Sequence, residues 1–490
     1  MSSITLNPAT STQHKTSTTK PTISLLATSL PTEHAYNAEI EGILPTDLNG
    51  ALFRNGPGLF ERDGYRKKNL LDGDGMIQKI SIANGKATYQ NHFVRTPKYL
   101  AEEKAGKFLY PTWTTLAPKF HQNIPGFPTK TQAGVVATVR NNTLYALDEV
   151  GMPWQLNPAD LSDQGSYRLT EKGAAASYKA HNKIDGRNGD WVFLGWSETK
   201  TSVAQILIKD KQGTTQLIRN IPMPTRSYVH DFFITENYVV INLHPVIMKP
   251  LSLLVGRRSY KDCLSWQPEL GNKICIIERK AQGHVQFFDA PAAFMWHVFN
   301  AYEEDNKIIA DFVGYDEPDH LIGDDPFLTA VMTGGEGQPS KPGTVRRHII
   351  DIDQNKATEQ ILFEGNYEFP IIHFAHTGYK HRFGFGTSGD IGKFGHNALV
   401  RFDFANMTMR KLFLGPNTQV GEPVYATQSM TDNGRGYLLS MCLDENSGKS
   451  FVAVVDAESM DLTAKILLKH HTPLSFHGCW QPSEKMHVAN

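Results

Sequence analysis

The stretch FMWHVFNAYEE, Phe294–Glu304, holds a histidine among Phe, Met, Trp, Val and Phe. Such an imidazole is either a core side chain satisfied by a local hydrogen bond or a group aimed at something, such as a metal. Three more histidines share the setting of His297. His181 lies in SYKAHNKID before the run WVFLGW, His230 in SYVHDFFIT at the start of an apolar run, and His477 in LSFHGCW near the C-terminus. Three glutamates sit in similar surroundings: Glu149 closes LYALDE, Glu368 lies in NYEFPII and Glu422 in VGEPVYA. Glutamate is rarely buried without a partner. Four neutral imidazoles on one ion suit iron, copper or zinc. A ligating histidine usually donates its other ring N–H to a carboxylate or carbonyl, which fixes the tautomer and makes the ring a better donor. Three glutamates for four histidines fit that supporting role, and their charge offsets that of a divalent ion.

These residues are far apart, so the fold has to bring them together. From His181 the gaps run about 49 residues to His230, 67 to His297, 71 to Glu368, 54 to Glu422 and 55 to His477. A propeller blade takes roughly 40–50 residues, more with insertions. Each residue then occupies an equivalent place in a successive blade, on the innermost strand that lines the axis. Glu149, about 32 residues before His181, breaks the count. Taken singly, each histidine reads as a core or surface residue. His373, His376, His470 and His471 compete with the chosen set, and His92, His244, His284, His348 and His381 have no supporting neighbours.

Short runs rich in Val, Ile, Phe and Tyr, separated by turn residues, dominate the chain. Turns are expected at Asn141-Asn142, Glu236-Asn237, Asp305-Asn306 and Asn446–Gly448, each joining two strand-like runs. PKYLAEEKAGK, closed by Gly106, is the one short helix candidate. Many hairpins at similar spacing predict an all-β propeller or a large barrel. Residues 1–30 are Ser/Thr-rich and polar over most of their length and read as a disordered arm. No composition break follows, so residues 31–490 read as one domain.

With 49 basic and 50 acidic residues the net charge is −1, and no basic tail or helix argues for nucleic acid. The cysteines Cys263, Cys275, Cys442 and Cys479 lack metal-site spacing. The N-terminus lacks the apolar core of a signal peptide, so a cytoplasmic location is expected. No apolar run is long enough to span a bilayer. PVIMKPLSLLVGRR, residues 245–258, reads either as a buried loop or short helix or as a segment lying on a membrane surface, with Lys249, Arg257 and Arg258 at the headgroups. No obligate protein partner is indicated.

At these residues the sequence resembles the carotenoid cleavage oxygenase family. The motifs occur in order: FRNGPGLF at Phe53–Phe60, DGDGM at Asp72–Met76, FVRT at Phe93–Thr96, AHNKID, VHDFFIT, FMWHVFNAYEE, EFP at Glu368, GEP at Gly421, VVDA at Val454–Ala457 and FHGCW. Any one is weak, and the ordered set, covering about residues 35–480, is specific. The resemblance implies a seven-bladed β-propeller with an axial metal site and a cap of loops and short helices over one face. It implies Fe(2+) on His181, His230, His297 and His477, with Glu149, Glu368 and Glu422 orienting them. It implies cleavage of a conjugated C=C bond of an apolar polyene, a carotenoid or apocarotenoid, by O₂ to give carbonyl products. Other readings are a stilbene- or phenylpropene-cleaving enzyme, a non-oxidative retinoid isomerase, and a metal-free binding scaffold. Two stretches depart from the pattern: Asn69-Leu70-Leu71, where relatives carry His and aromatic residues, and Ala133–Val136, where relatives often have Asn-Thr. DGDGM has half the look of a calcium loop but lacks the remaining acidic positions, so a tight turn is expected.

Overall fold

The computed structural model describes residues 23–123, 130–170, 173–198, 200–249, 251, 253, 255–427 and 435–483. Its strands form seven four- or five-stranded antiparallel sheets and two small two-stranded ones. The seven large sheets are the blades of a propeller, numbered here in chain order. Blade 2 spans 136–166, blade 3 177–222, blade 4 233–290, blade 5 294–363 and blade 6 367–413. Each of these five runs from its inner to its outer strand, except that blade 4 inserts a hairpin of Val246–Met248 with Leu264–Trp266.

Blades 1 and 7 close the ring, and they do so twice. The C-terminal strand His477–Pro482 becomes the inner strand of blade 1 by pairing with Gly50–Leu59. The N-terminal strand Glu39–Gly42 becomes the outer strand of blade 7 by pairing with Leu462–Leu467. Chain ends that would leave exposed strand edges instead complete sheets begun elsewhere.

The expected hairpins form. Asn141-Asn142 and Asp305-Asn306 all have positive φ, the conformation that two-residue turns between strands require. Neighbouring blades bury Val, Ile, Leu and Phe against each other. Val192, Leu194 and Ile206 of blade 3 meet Val239, Ile241 and Cys275 of blade 4. Each fully buried Leu or Ile contributes about 1.5–3 kcal/mol. The largest cluster lies where the loops of one face fold over the blades, and joins Phe60, Leu70, Tyr228, Phe294, Leu321, Phe327 and Val331. The helix Pro97–Ala105 belongs to this cap. Thr96 caps its start, and Gly106, at φ 65°, ends it.

The packed chain reaches further back than the sequence reading places it. Ile23–Ala27 form a 3₁₀ turn whose Ile23, Leu26 and Ala27 join that cluster, because ISLLA is apolar where the preceding residues are Ser/Thr-rich. Residues 1–22 of the expected arm lie outside the described residues. No described helix is long and apolar enough to cross a membrane.

Candidate metal centre and its cavity

Each blade sends one of the seven selected residues to the axis. Blade 1 supplies His477, blade 3 His181, blade 5 His297, blade 6 Glu368 and blade 7 Glu422, all on inner strands. His230 lies just before the inner strand Phe233–Ile234 of blade 4. Glu149 breaks the spacing because it follows the second strand of blade 2, Thr143–Leu147, and reaches inward from the loop.

Four inner strands lose register where they face the axis: between Tyr178 and Asn182, Met295 and Val298, Glu368 and Ile371, and Val420 and Pro423. A bulge bends the strand and re-aims a side chain. At Glu368 the break is built by Phe369 at φ 52° followed by Pro370, which has no N–H for the ladder. These kinks take His181, His297, Glu368 and Glu422 out of the alternation of a flat strand.

The four histidines each offer a ring nitrogen, all within 4.8 Å of one another. His230, His297 and His477 are buried, and the His181 side chain is 12 % exposed. His297 Nδ1 lies 2.7 Å from Glu368 Oε2, His477 Nδ1 2.8 Å from Glu422 Oε1, and His230 Nδ1 2.8 Å from Glu149 Oε1. The hydrogen bonds at His297 and His477 and the close Glu149 contact at His230 place the proton on each Nδ1 and turn each Nε2 lone pair inward. His181 Nε2 and His230 Nε2 stand 3.1 Å apart, and the buried His297 Nε2 has no hydrogen-bond partner among the described residues. Lone pairs gathered at that range repel unless a cation lies between them, so the donor set fits a divalent metal.

The carboxylates are held ionised. Burial opposes charge on Glu149, but Lys179, at 3.1 Å, and His230 outweigh it and bring its carboxyl down to about 2. Burial likewise works against Glu368, and His297 with the Phe369 N–H brings it down to about 2. Glu422 is lowered by His477 and Arg54 against its burial. Burial takes His181 well below the usual histidine range and His477 down to about 4, so both rings are neutral donors near pH 7.

A cavity of about 490 Å³ opens onto this cluster. His230, His297 and His477 form its floor; Trp113, Leu116, Tyr228, Trp296, Leu328, Phe394 and Phe476 form much of its wall. Trp296 packs with Phe294 in the core cluster and also lines the cavity, edge-on to His230 at 4.8 Å. Both departures from the family pattern line the cavity, through Leu71 and Val135. Asn69 caps the turn Leu70–Asp72 that places Leu71 there. The acids of DGDGM are taken up by protein groups: Asp72 by Thr114 and Thr115, Asp74 by Lys98 and Arg62.

Sequence reasoning did not find Arg54, Lys179 or the aromatic wall. Arg54 and Lys179 each pair with an axial glutamate from another blade, and only the closed ring makes that visible. The competing histidines stay apart from the axis. His373 bonds the Ala375 N–H, and His470 and His471 sit near Tyr36 and Thr28.

The model of the retinal pigment epithelial membrane protein family matches residues 27–482. The chain belongs to this carotenoid oxygenase family. Among its relatives, the apocarotenoid-15,15'-oxygenase of Synechocystis is 28% identical over 92% of this chain and 94% of that protein. The isoeugenol monooxygenase of Pseudomonas nitroreducens is 26% identical over 94% and 98%, and the carotenoid 9,10(9',10')-cleavage dioxygenase 1 of Arabidopsis thaliana 26% over 91% and 87%. The crystal structure of cobalt-substituted Synechocystis apocarotenoid oxygenase matches with a TM-score of 0.87 and 28% identity, covering 94% of this chain and 98% of that one.

Proposed function

We propose that the protein is a non-haem Fe(II) oxygenase that cleaves a conjugated C=C bond of a carotenoid or apocarotenoid with O₂ to give carbonyl products. The observation that carries this reading is the convergence of His181, His230, His297 and His477, the last three forming the floor of an apolar, aromatic-walled cavity. Family membership and the names of the relatives support it. The four histidines hold the iron, which supplies oxygen chemistry that no side chain in the site provides. Glu149, Glu368 and Glu422 keep the proton on Nδ1 of His230, His297 and His477. Trp113, Trp296, Phe394 and Phe476 grip an apolar chain, hold one double bond over the cluster and keep water from reactive species. No histidine acts as an acid or base.

A second reading has one specific observation behind it. The buried ammonium of Lys179 lines the cavity beside Glu149, an unusual group for a pure hydrocarbon to meet. A phenylpropene or stilbene with a phenol oxygen would use that donor, and a relative is named isoeugenol monooxygenase.

Peripheral membrane contact belongs to the same proposal. Leu251 is 75% exposed, Val255 45% and Phe120 60%. Gly256 packs on Asn123, which joins the two segments, and Asn123, Leu253 and Arg258 line the cavity. The surface is narrower than residues 245–258, because Val246 and Met248 are buried in the inserted hairpin. Residues 250, 252 and 254 lie outside the described residues.

The deciding experiment incubates Fe(II)-reconstituted protein with carotenoids, apocarotenals, stilbenes and isoeugenol, and identifies carbonyl products by mass. Polyene-derived aldehydes support the first reading and phenolic aldehydes alone the second. Iron binding without O₂ uptake on any substrate indicates an isomerase, and failure to bind iron a metal-free scaffold.

A further inference from the structure

Three of the four histidines have a glutamate at Nδ1, and His181 has none. Its Nδ1 instead lies 3.9 Å from Asp231 Oδ2, just beyond direct hydrogen-bond distance. Asp231 is 2% exposed and comes from blade 4, the neighbour of the blade that carries His181. We infer that Asp231 is a positioning residue, the fourth carboxylate of the metal centre, assigned to His181. This rests on the metal-centre reading above.

Asp231 has the same kinds of supporting partners as the three glutamates, although it stands further from its histidine, at 3.9 Å against 2.7–2.8 Å. Its Oδ1 accepts the Phe232 N–H at 2.8 Å and pairs with Lys183 Nζ at 2.7 Å. Its Oδ2 accepts the Val298 N–H at 3.2 Å. A backbone bond to the residue after His297 and its own place after His230 tie one carboxylate to three histidine-bearing blades. The cation partner follows the same plan. Glu149 has Lys179, Glu422 has Arg54 and Asp231 has Lys183. Only Glu368 has no lysine or arginine partner among the described residues.

The physical need is specific. For His181 Nε2 to present a lone pair beside the other three rings, its proton has to sit on Nδ1. A protonated Nδ1 in a nearly buried site requires an acceptor, and Asp231 is the carboxylate facing it.

The test compares Asp231→Asn and Lys183→Met with wild-type protein, each stripped and titrated anaerobically with Fe(II), and separately with Co(II) read by its visible absorption. Asparagine keeps the shape but only one oxygen, so either the Phe232 or the Val298 N–H loses its acceptor. The inference predicts about 10–100-fold weaker metal affinity and an altered Co(II) spectrum for Asp231→Asn. It predicts affinity for Lys183→Met equal to or tighter than wild type, since the carboxylate stays and a nearby positive charge goes. If Asp231 serves only as the ion-pair partner of Lys183, both variants lose thermal stability alike and neither changes metal affinity, which overturns the inference. If Asp231→Asn does not fold, Asp231→Glu decides: it keeps the charge that pairs with Lys183 but moves the carboxylate relative to His181, and unchanged metal affinity with an unchanged Co(II) spectrum overturns the inference. Wild-type protein that binds neither metal overturns the metal-centre reading itself, a result distinct from these.

Discussion

The carboxylate of Glu422 is shared between His477 and Arg54: Oε1 lies 2.8 Å from His477 Nδ1, and Oε2 lies 2.5 Å from the Arg54 guanidinium. Arg54 also donates to the carbonyls of Ser475 and Phe476. Its own strand pairs with the strand that begins at His477. The contact that closes the ring therefore also aims a histidine at the axis. Replacing Arg54 by Met leaves Glu422 charged and buried, at a cost of about 3–5 kcal/mol. Urea unfolding should show that loss, and metal analysis should show less iron retained per folded chain.

Glu368 separates orientation from stability, because it has no lysine or arginine partner among the described residues. Glu368→Gln should weaken metal binding about 10–100-fold. It should lower stability less than Arg54→Met does. Chelator competition and urea titration on the same samples test both halves. Equal losses of stability would refute the separation.

Lys67 gives the protein a pH dependence unrelated to the metal. Its ammonium is buried beside Phe108, and burial with repulsion from Lys98 lowers it to about 8 from 10.5. The folded state thus binds fewer protons than the unfolded state between pH 8 and 10.5. The penalty is fully present below pH 8, and stability rises with pH through that window. Lys67→Met removes a penalty on the order of 3 kcal/mol near pH 7. Its advantage over wild type should vanish towards pH 10.5, as measured by urea midpoints at several pH values.

Val135 lines the cavity, and its carbonyl accepts the His477 N–H. Because that bond is made by the backbone, Val135→Phe should narrow the cavity while leaving the histidines in place. Iron content should stay within about 20% of wild type while turnover of long polyenes falls at least tenfold, about 1.4 kcal/mol of transition-state binding. Loss of iron in parallel with activity would contradict this.

The exposed pair Phe120 and Leu251 tests the membrane surface. Phe120→Asp with Leu251→Asp should reduce co-sedimentation with liposomes several-fold and leave turnover of detergent-solubilised substrate unchanged. Unchanged sedimentation would exclude this patch as the contact.

The sequence by itself determined what is local or countable. Paired Asn and Asp residues with positive φ specify hairpins; Val- and Ile-rich runs specify strands; the recurrence of His and Glu at blade-like intervals specifies which side chains share an axis. The tertiary structure decided the rest. Glu149 comes from a loop, because blade 2 reaches the axis with a different strand from the one before it. Trp296 serves both the core cluster and the cavity wall, on a strand whose register breaks after Met295. Arg54, Lys179 and Asp231 find their partners only across blades, in a ring that closes when His477–Pro482 pairs with Gly50–Leu59. Burial and charge pairing between residues hundreds of positions apart depend on that closure, and no local pattern encodes it.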